Sequence, residues 1–344
     1  MQFGVFDHLD RNGLSVNKQY NDRLSLIDAY ERAGFYAYHL AEHHGTPLGL
    51  ASAPGIFLAA VSQRTNTLRF GPLVYTLSIY HPLRLIEEIC MLDQLSGGRL
   101  ELGIGRGVSP IEIGFFGVGD DARERYEESL QIIRLGLAEP ILDFSGSYYS
   151  FDAVPLELRP VQQPHPPLWY GVADPERAKW AALQGMNIVT NGPAAAVRAI
   201  TDAYRSAWTA ENNSSTELPL LGMNRHIVIA DTEQEAVKLA APAFARWYDS
   251  LMHLWRVHNR PIPLNFPDNF EAAREARLCI AGCPADVLDV LHEELERAGV
   301  NYLLCRLAFG DLPYSASLTS TQAMQEEIMP HLNAVNLSSA GTAR

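Results

Sequence analysis

Short strand-like runs alternate with longer helical stretches along almost the whole chain of 344 residues. Runs rich in β-branched and aromatic residues predict strands at 2–6, 36–41, 68–77, 99–105, 167–172, 187–191, 220–230 and 301–307. Helical spacing of apolar residues predicts helices at 20–33, 82–95, 121–137, 175–184, 194–210, 232–252, 284–298 and 320–332. Strands separated by helices form parallel sheets, and about eight such units close a TIM barrel. The sequence therefore predicts an α/β fold, a TIM (β/α)8 barrel with insertions.

The domain organisation follows from this pattern. A single domain is predicted over 1–335, followed by a disordered tail over 336–344, NLSSAGTAR. Two segments exceed the usual connections of a barrel. Residues 138–166 predict a small β excursion, and residues 253–280 are rich in Pro and Asn. Insertions of this length in a compact domain are usually functional lids or disordered linkers.

Composition and charge exclude several classes of protein. The net charge of −13, from 27 basic and 40 acidic residues, argues against a nucleic-acid partner. No apolar run approaches the roughly 20 residues of a membrane span. The start, MQFGVFDHLD, lacks the pattern of a signal peptide, so we expect a cytoplasmic protein. Its four cysteines have no CxxC spacing and predict reduced, mostly buried thiols.

The stretch YHLAEHHG, residues 38–45, concentrates three histidines and a glutamate. His39-x-x-Glu42-His43 has the spelling of an inverted zinc-peptidase motif, which requires both histidines on one helical face. Here His39 lies in a predicted strand, where His39 and His43 would be about 13 Å apart. We therefore predict no metal site. His39 and His44 could equally be packing or surface residues.

Position makes His43 the stronger functional candidate. It follows the second predicted strand, and TIM-barrel active sites are built at the C-terminal ends of the strands. An imidazole titrates near neutral pH and can exchange protons during a reaction. The sequence therefore indicates a proton-transfer role for His43.

Four segments carry a resemblance to a known family and occur in the family's order. They are AEHHG (41–45), YHPLRLIEEICMLDQLSGGRLELGIGRG (80–107), RWYDSLMHLW (246–255) and MQEEIMPHL (324–332). These segments resemble the bacterial-luciferase-like family of flavin-dependent monooxygenases. The resemblance implies that reduced FMN, supplied by a separate flavin reductase, reacts with O₂ to form a flavin hydroperoxide. This would oxidise a small aldehyde-like or ketone-like substrate.

Two alternatives stay open. Some relatives use a deazaflavin for hydride transfer on the same barrel, and a relative could also bind flavin without turnover. The EHH spelling and the GRG that ends the fourth strand are more similar to the FMN branch.

The resemblance also implies site residues. His43 matches the family's catalytic histidine, and Glu42 matches an acid that lines the flavin pocket. The pair Leu73–Val74 matches a non-proline cis peptide that supports the flavin ring. Arg106 and Arg123 match phosphate-binding arginines, whose forked donors suit a phosphate dianion.

The start of the helix after the fifth strand completes the implied phosphate site. Ala173, Asp174 and Arg177 lie there, and a helix N-terminus offers free amides to a phosphate. Relatives often have serine or threonine at this place. Asp174 would repel a phosphate unless it only caps the helix, and Arg177 could compensate for its charge.

Two larger features are also expected. The helix at 83–95 has an apolar face wider than a single core-facing stripe, which predicts a homodimer through residues 53–63 and 83–95. Residues 256–277 follow RWYDSLMHLW, where the luciferase subunit has its lid. We expect this segment to be mobile without flavin and to close over the loaded site.

Overall fold

The computed structural model describes residues 1–212, 217–261 and 266–333. The strands are β1 (Gln2–Asp7), β2 (Ala37–Leu40), β3 (Arg69–Pro72), β4 (Tyr75–Thr76), β5 (Leu102–Gly105), β6 (Ile141–Ser145), β7 (Ser150–Pro155), β8 (Leu168–Gly171), β9 (Asn187–Thr190), β10 (Leu221–Ile229), β11 (Cys279–Gly282) and β12 (Tyr302–Arg306). The helices are α1 (Val16–Arg32), α2 (Pro54–Arg64), α3 (Pro82–Ser96), α4 (Pro110–Gly114), α5 (Ala122–Ala138), α6 (Pro175–Leu183), α7 (Ala194–Asn212), α8 (Glu233–Val257), α9 (Phe270–Glu275), α10 (Pro284–Ala298) and α11 (Tyr314–Ala323).

The main sheet closes into a barrel of parallel strands. Its order is β3-β2-β1-β12-β10-β9-β8-β5-β4. A bridge between Phe70 and Leu100 joins the two ends of this order. Since β3 and β4 are two halves of one strand, the ring has eight positions, while β11 pairs with the far end of β10 outside the ring. The predicted TIM barrel is confirmed.

Two of the three hydrophobic clusters in the described chain form the layers of the barrel. The larger lies between the strands and the surrounding helices, and includes Ile27, Leu58, Ile86, Ile133 and Leu291. The smaller lies inside the ring, where side chains from strands on opposite sides meet: Leu73, Trp169, Tyr302 and Leu304. Val74, Phe6 and Val189 pack against this interior layer and remain partly exposed. The interior is therefore filled at its centre and open at the C-terminal mouth.

The two insertions differ in how well they were predicted. The first contains the expected β excursion, an antiparallel hairpin of β6 and β7. In the second, the sequence analysis missed α9 and β11. Phe270 and Ala273 of α9 are buried, and they belong to the same apolar cluster as Trp247 of α8. Part of the expected lid, 262–265, and the expected tail, 336–344, lie outside the described residues.

Most helix boundaries agree closely with the predictions, but three do not: α1 starts four residues earlier than expected, at Val16, α8 runs five residues further, to Val257, and the last helix starts six residues earlier, at Tyr314. The short helix α4 was not predicted. In the described part of the chain, no helix has the length and apolar character needed to cross a membrane.

Candidate active site

The loop that carries His43 is held firmly at the mouth of the barrel. It follows β2 and runs beside the loop after β1. The backbone N–H of Ala41 donates to the carbonyl of Asp7 at 2.8 Å, and the N–H of Leu50 donates to the carbonyl of Leu9 at 3.1 Å. His43 is therefore fixed by backbone pairing at both ends of its loop.

A carboxylate that the sequence analysis did not identify orients His43. Nδ1 of His43 lies 3.2 Å from both carboxylate oxygens of Glu112, and Oε2 of Glu112 also accepts the backbone N–H of His44 at 2.7 Å. Burial acts to raise the pKa of Glu112, but bonding from His43 and His44 outweighs it and holds this pKa below its usual value. An ionised carboxylate only accepts hydrogen bonds, so Nδ1 of His43 carries a proton. Nε2 is the nitrogen left for chemistry.

Glu112 reaches His43 because α4 follows β5 at the same end of the barrel. Ser109 caps this helix, and its Oγ accepts the N–H of Glu112 at 3.3 Å. The sequence Ser109-x-x-Glu112 is that of a capping box, in which the glutamate usually turns back to the cap residue. Here Glu112 turns outward to His43 instead. The capping pattern was therefore a usable signal for a helix start, although not for this contact.

Glu42 lies next to His43 in sequence and has a different environment. Its side chain is fully buried. Its carboxylate accepts hydrogen bonds from the Thr76 N–H, the Tyr80 hydroxyl and Nε2 of His44, each at 2.8 Å. Glu42 thus ties the His43 loop to the segment that follows β4, and these contacts occupy both of its oxygens.

The histidines of YHLAEHHG are separated as the strand prediction required. His39 lies inside the barrel, where Nε2 pairs with the Tyr302 hydroxyl at 2.8 Å and burial lowers its pKa to about 3. His43 pairs with Glu112 instead. Over residues 1–212, 217–261 and 266–333, no group of three or more His, Cys, Asp or Glu side chains is arranged to hold a metal ion.

A second polar group beside His43 was also missed by the sequence analysis. The His8 ring centroid lies 5.5 Å from that of His43, and Nδ1 of His8 accepts the indole N–H of Trp247 at 3.3 Å. His226 stacks edge-on against Trp247 at 4.3 Å. Arg306 lies over Trp247, with its guanidinium carbon 5.1 Å from the ring centroid. These residues are far apart in the chain, and no local pattern links them.

The predicted phosphate-binding residues lie at the ends of two neighbouring strands. Arg106 directly follows β5, and Ala173 and Asp174 follow β8, which pairs with β5. Arg106 is exposed, and its side chain makes no ion pair or hydrogen bond with any described residue. Asp174 caps α6, because its Oδ1 accepts the N–H of Arg177 at 2.9 Å.

Arg123 is exposed on the first turn of α5, likewise without a described partner. Arg106, Arg123 and Arg177 thus come from the end of β5, the first turn of α5 and the first turn of α6, all of which follow neighbouring strands. Such a set fits a phosphate group.

Backbone features near these residues leave open space at the end of β8. The peptide bond between Leu73 and Val74 is cis, as the resemblance implied. Val74 is partly exposed there. Gly171, at the end of β8, is exposed, and a Cβ built on it would meet no atom within 4 Å. The residues present therefore fit a planar cofactor with a charged phosphate tail.

The fold and site together define an enzyme of the TIM-barrel class, with a histidine–carboxylate pair at the C-terminal mouth. A family model described as luciferase-like monooxygenase matches residues 1–302. The chain therefore belongs to the luciferase-like family of flavin-dependent monooxygenases, and the suspected resemblance is confirmed.

Individual proteins are similar to this chain over much of its length. The chain is 49% identical over 330 residues to the uncharacterized protein y4wF of Sinorhizobium fredii, covering 96% of each chain. It is 28% identical over 244 residues to the oxygenase component of the flavin-dependent trigonelline monooxygenase of Acinetobacter baylyi, covering 69% of this chain and 67% of that protein. The solved structure of the monooxygenase RslO1 from Streptomyces bottropensis superposes with a TM-score of 0.86 at 25% identity, covering 96% of this chain and 99% of that one.

Proposed function

We propose that this protein is the oxygenase component of a two-component monooxygenase. It uses O₂ and reduced FMN, which a separate flavin reductase supplies, to oxidise a small organic substrate of the aldehyde or ketone type. The observation that carries this proposal is the His43–Glu112 pair at the barrel mouth, within a family of flavin-dependent monooxygenases. The relative from Acinetobacter baylyi, named as an oxygenase component, supports a separate reductase.

Each predicted site residue has a role in this proposal. Reduced FMN, when bound, supplies the electrons that activate O₂. Leu73 and Val74 would line the floor of its site, and Glu42 holds the loop that would bound that site. Arg106, Arg123 and Arg177 would bind its phosphate together with the N-terminus of α6 at Ala173 and Asp174, where Asp174 serves as the helix cap.

His43 is the catalytic residue of this proposal. Its Nδ1 proton is held by Glu112, so Nε2 can take up or release a proton beside the reacting atoms. Because Glu112 is ionised, it stabilises the imidazolium that forms when Nε2 takes up a proton. The buried Glu42 pairs with His44 and does not compete for His43.

Flavin binding tests this proposal directly. Wild-type protein should bind reduced FMN more tightly than oxidised FMN, and more tightly than a deazaflavin. Replacing Arg106 with alanine should weaken the binding of reduced FMN about tenfold or more, because a charge-assisted contact to phosphate is lost. The affinity for reduced riboflavin, which lacks the phosphate, should stay unchanged. Anaerobic titration calorimetry measures the affinities for all four ligands: reduced FMN, oxidised FMN, the deazaflavin and reduced riboflavin.

The control variant is Arg198→Ala, which removes an exposed arginine on α7 that pairs with Asp202. It should bind FMN as wild type does. A wild-type preference for the deazaflavin would instead support the hydride-transfer alternative and reject the FMN proposal.

We also propose that the protein forms a homodimer through the face formed by α2 and α3. Four large apolar side chains on or beside these helices are 48–77% exposed: Ile56, Met91, Leu95 and Phe116. They border a cleft of about 470 Å³. Burying this surface against a second copy would remove it from water.

Sedimentation velocity tests the dimer. Wild-type protein should sediment as a dimer, and Ile56→Asp should shift it to the monomer because a buried unpaired carboxylate opposes association. Leu183→Asp, at an apolar residue of α6 that is 56% exposed, should leave the dimer intact. A wild-type monomer at every concentration would contradict this prediction.

A further inference from the structure

Arg306 places a guanidinium inside the protein without a carboxylate partner. It is the last residue of β12 and is 6% exposed. Its only hydrogen bond with a described residue is a long one, from Nη1 to Nε2 of His226 at 3.5 Å, and its Nε is buried without a partner. Its other neighbours are the rings of Phe6 and Trp247, whose centroids lie 4.8 and 5.1 Å from the guanidinium carbon. Burying a cation this way is unfavourable unless something else compensates its charge.

The nearest carboxylates do not provide that compensation. Asp7 pairs with Arg23, whose Nε lies 2.8 Å from Oδ2. Asp10 accepts the N–H of Gly310 at 2.7 Å, and burial raises its pKa to about 7, so it carries only part of a negative charge near neutral pH. Neither forms an ion pair with Arg306. This interior region therefore holds an excess of positive charge.

The other polar groups around Arg306 are neutral or unsatisfied. Burial, and then the charge of Arg306, holds the pKa of His226 and that of His8 well below their usual value. Asn224 is two residues before His226 on β10, so both side chains point to the same face of the strand. Its Oδ1 is buried without a hydrogen-bond partner. Buried polar groups are nearly always paired. Oδ1 of Asn224 lacks a donor, whereas Nε of Arg306 lacks an acceptor, so it is Arg306 whose missing partner could be an anion.

The position of this group relates it to the catalytic histidine. His8 lies between the two, with its ring 5.5 Å from that of His43 and 6.0 Å from that of Trp247. Phe6 underlies Arg306 and remains partly exposed at the barrel mouth. A small molecule anchored at Arg306 would therefore extend over the ring of Phe6 towards His43.

We propose that Arg306 binds a carboxylate of the substrate, so that the substrate is a small organic acid whose planar or aromatic body carries the aldehyde-type or ketone-type carbonyl. This inference rests on the proposed function and names its substrate class. The carboxylate supplies the negative charge that the interior lacks, and the guanidinium fork matches its geometry. The ring of Phe6, which is partly exposed at the mouth, receives the planar body.

The test uses the full chain and two probes of equal shape, benzoate and its neutral analogue benzamide. Benzoate should bind wild-type protein and thereby raise its Tm. Benzamide should bind at least about tenfold more weakly and should raise the Tm correspondingly less. Arg306→Met should lose the response to benzoate. It should also have an unchanged or higher Tm without ligand, because it removes an unpaired buried charge. Arg306→Lys, which keeps the charge without the fork, should retain part of the response.

The matched control is Arg297→Gln, at an exposed arginine of α10 that pairs with Glu293. It should respond to benzoate as wild type does. Equal binding of benzoate and benzamide, or an undiminished benzoate response in Arg306→Met, would overturn the inference. A lower Tm of ligand-free Arg306→Met would also overturn it, by showing a structural role. FMN titration of the same variants separates this result from the proposed function, since Arg306→Met should still bind reduced FMN.

Discussion

Replacing His43 with alanine is expected to slow turnover by about 10²–10⁴-fold, the range associated with loss of a general acid or base. The reason is the bonding around the imidazole. Nδ1 is committed to Glu112, so Nε2 alone can exchange a proton at the barrel mouth. The loop itself is held by backbone bonds that do not involve the ring, so the fold and the affinity for flavin should change little. Single-turnover oxidation of substrate by protein loaded with reduced FMN measures the effect.

Two companion variants make this test specific. His44→Ala removes the neighbouring imidazole, which pairs with Glu42 and stacks edge-on against Phe116. His44→Ala should slow turnover less than His43→Ala does. Glu112→Gln keeps the shape of the group that bonds to His43 but removes its charge. Its turnover rate should lie between those of the His44 and His43 variants. Equal activity of the His43 and His44 variants would show that the assigned role is wrong.

Replacing Gly71 with alanine is expected to destabilise the barrel by about 3 kcal/mol or more, at the upper end of what overpacking costs. A Cβ on Gly71 would lie 1.6 Å from the carbonyl oxygen of Glu101, closer than any real contact. Here β3 meets the start of β5 and the ring closes, with the N–H of Glu101 donating to the carbonyl of Phe70 at 2.8 Å. The two strands would have to separate. Urea unfolding followed by circular dichroism measures the loss.

The control is Gly114→Ala at the end of α4. A Cβ there would meet no atom within 4 Å, and the backbone has no positive φ. This variant should be neutral or slightly more stable, because alanine favours the helix over glycine. If the two variants unfold at the same urea concentration, close strand approach at Gly71 does not limit the stability of the barrel.

The barrel could be predicted because its strands and helices carry their own signals. Leu102–Gly105 and Tyr302–Arg306 are continuous buried runs of the kind that parallel strands require. The elements that were missed are short. α4 has five residues and α9 has six, too few for a helical period to be visible. The strand β11 depends on pairing with β10, a partner distant in the sequence.

The active site, too, could be predicted from the sequence only in part. His43 could be identified because it follows a predicted strand, and the barrel fold assigns chemistry to that end. Its partner Glu112 comes from a helix that was not predicted, 69 residues further along the chain. The prediction that Asp174 could only be tolerated as a helix cap is consistent with its bond to the N–H of Arg177. Its role beside a phosphate stays a prediction.

The sequence by itself determined the alternation of elements, the barrel, the family and the position of His43. These depend on local patterns and on order along the chain. Only the tertiary structure decided which side chains meet at the mouth. His8 lies near the start of the chain, whereas His226, Trp247 and Arg306 come much later in the sequence, and β1, β10 and β12 become neighbours only when the ring closes. Whether the charge of Arg306 is compensated depends on every group around it, and no local pattern records that.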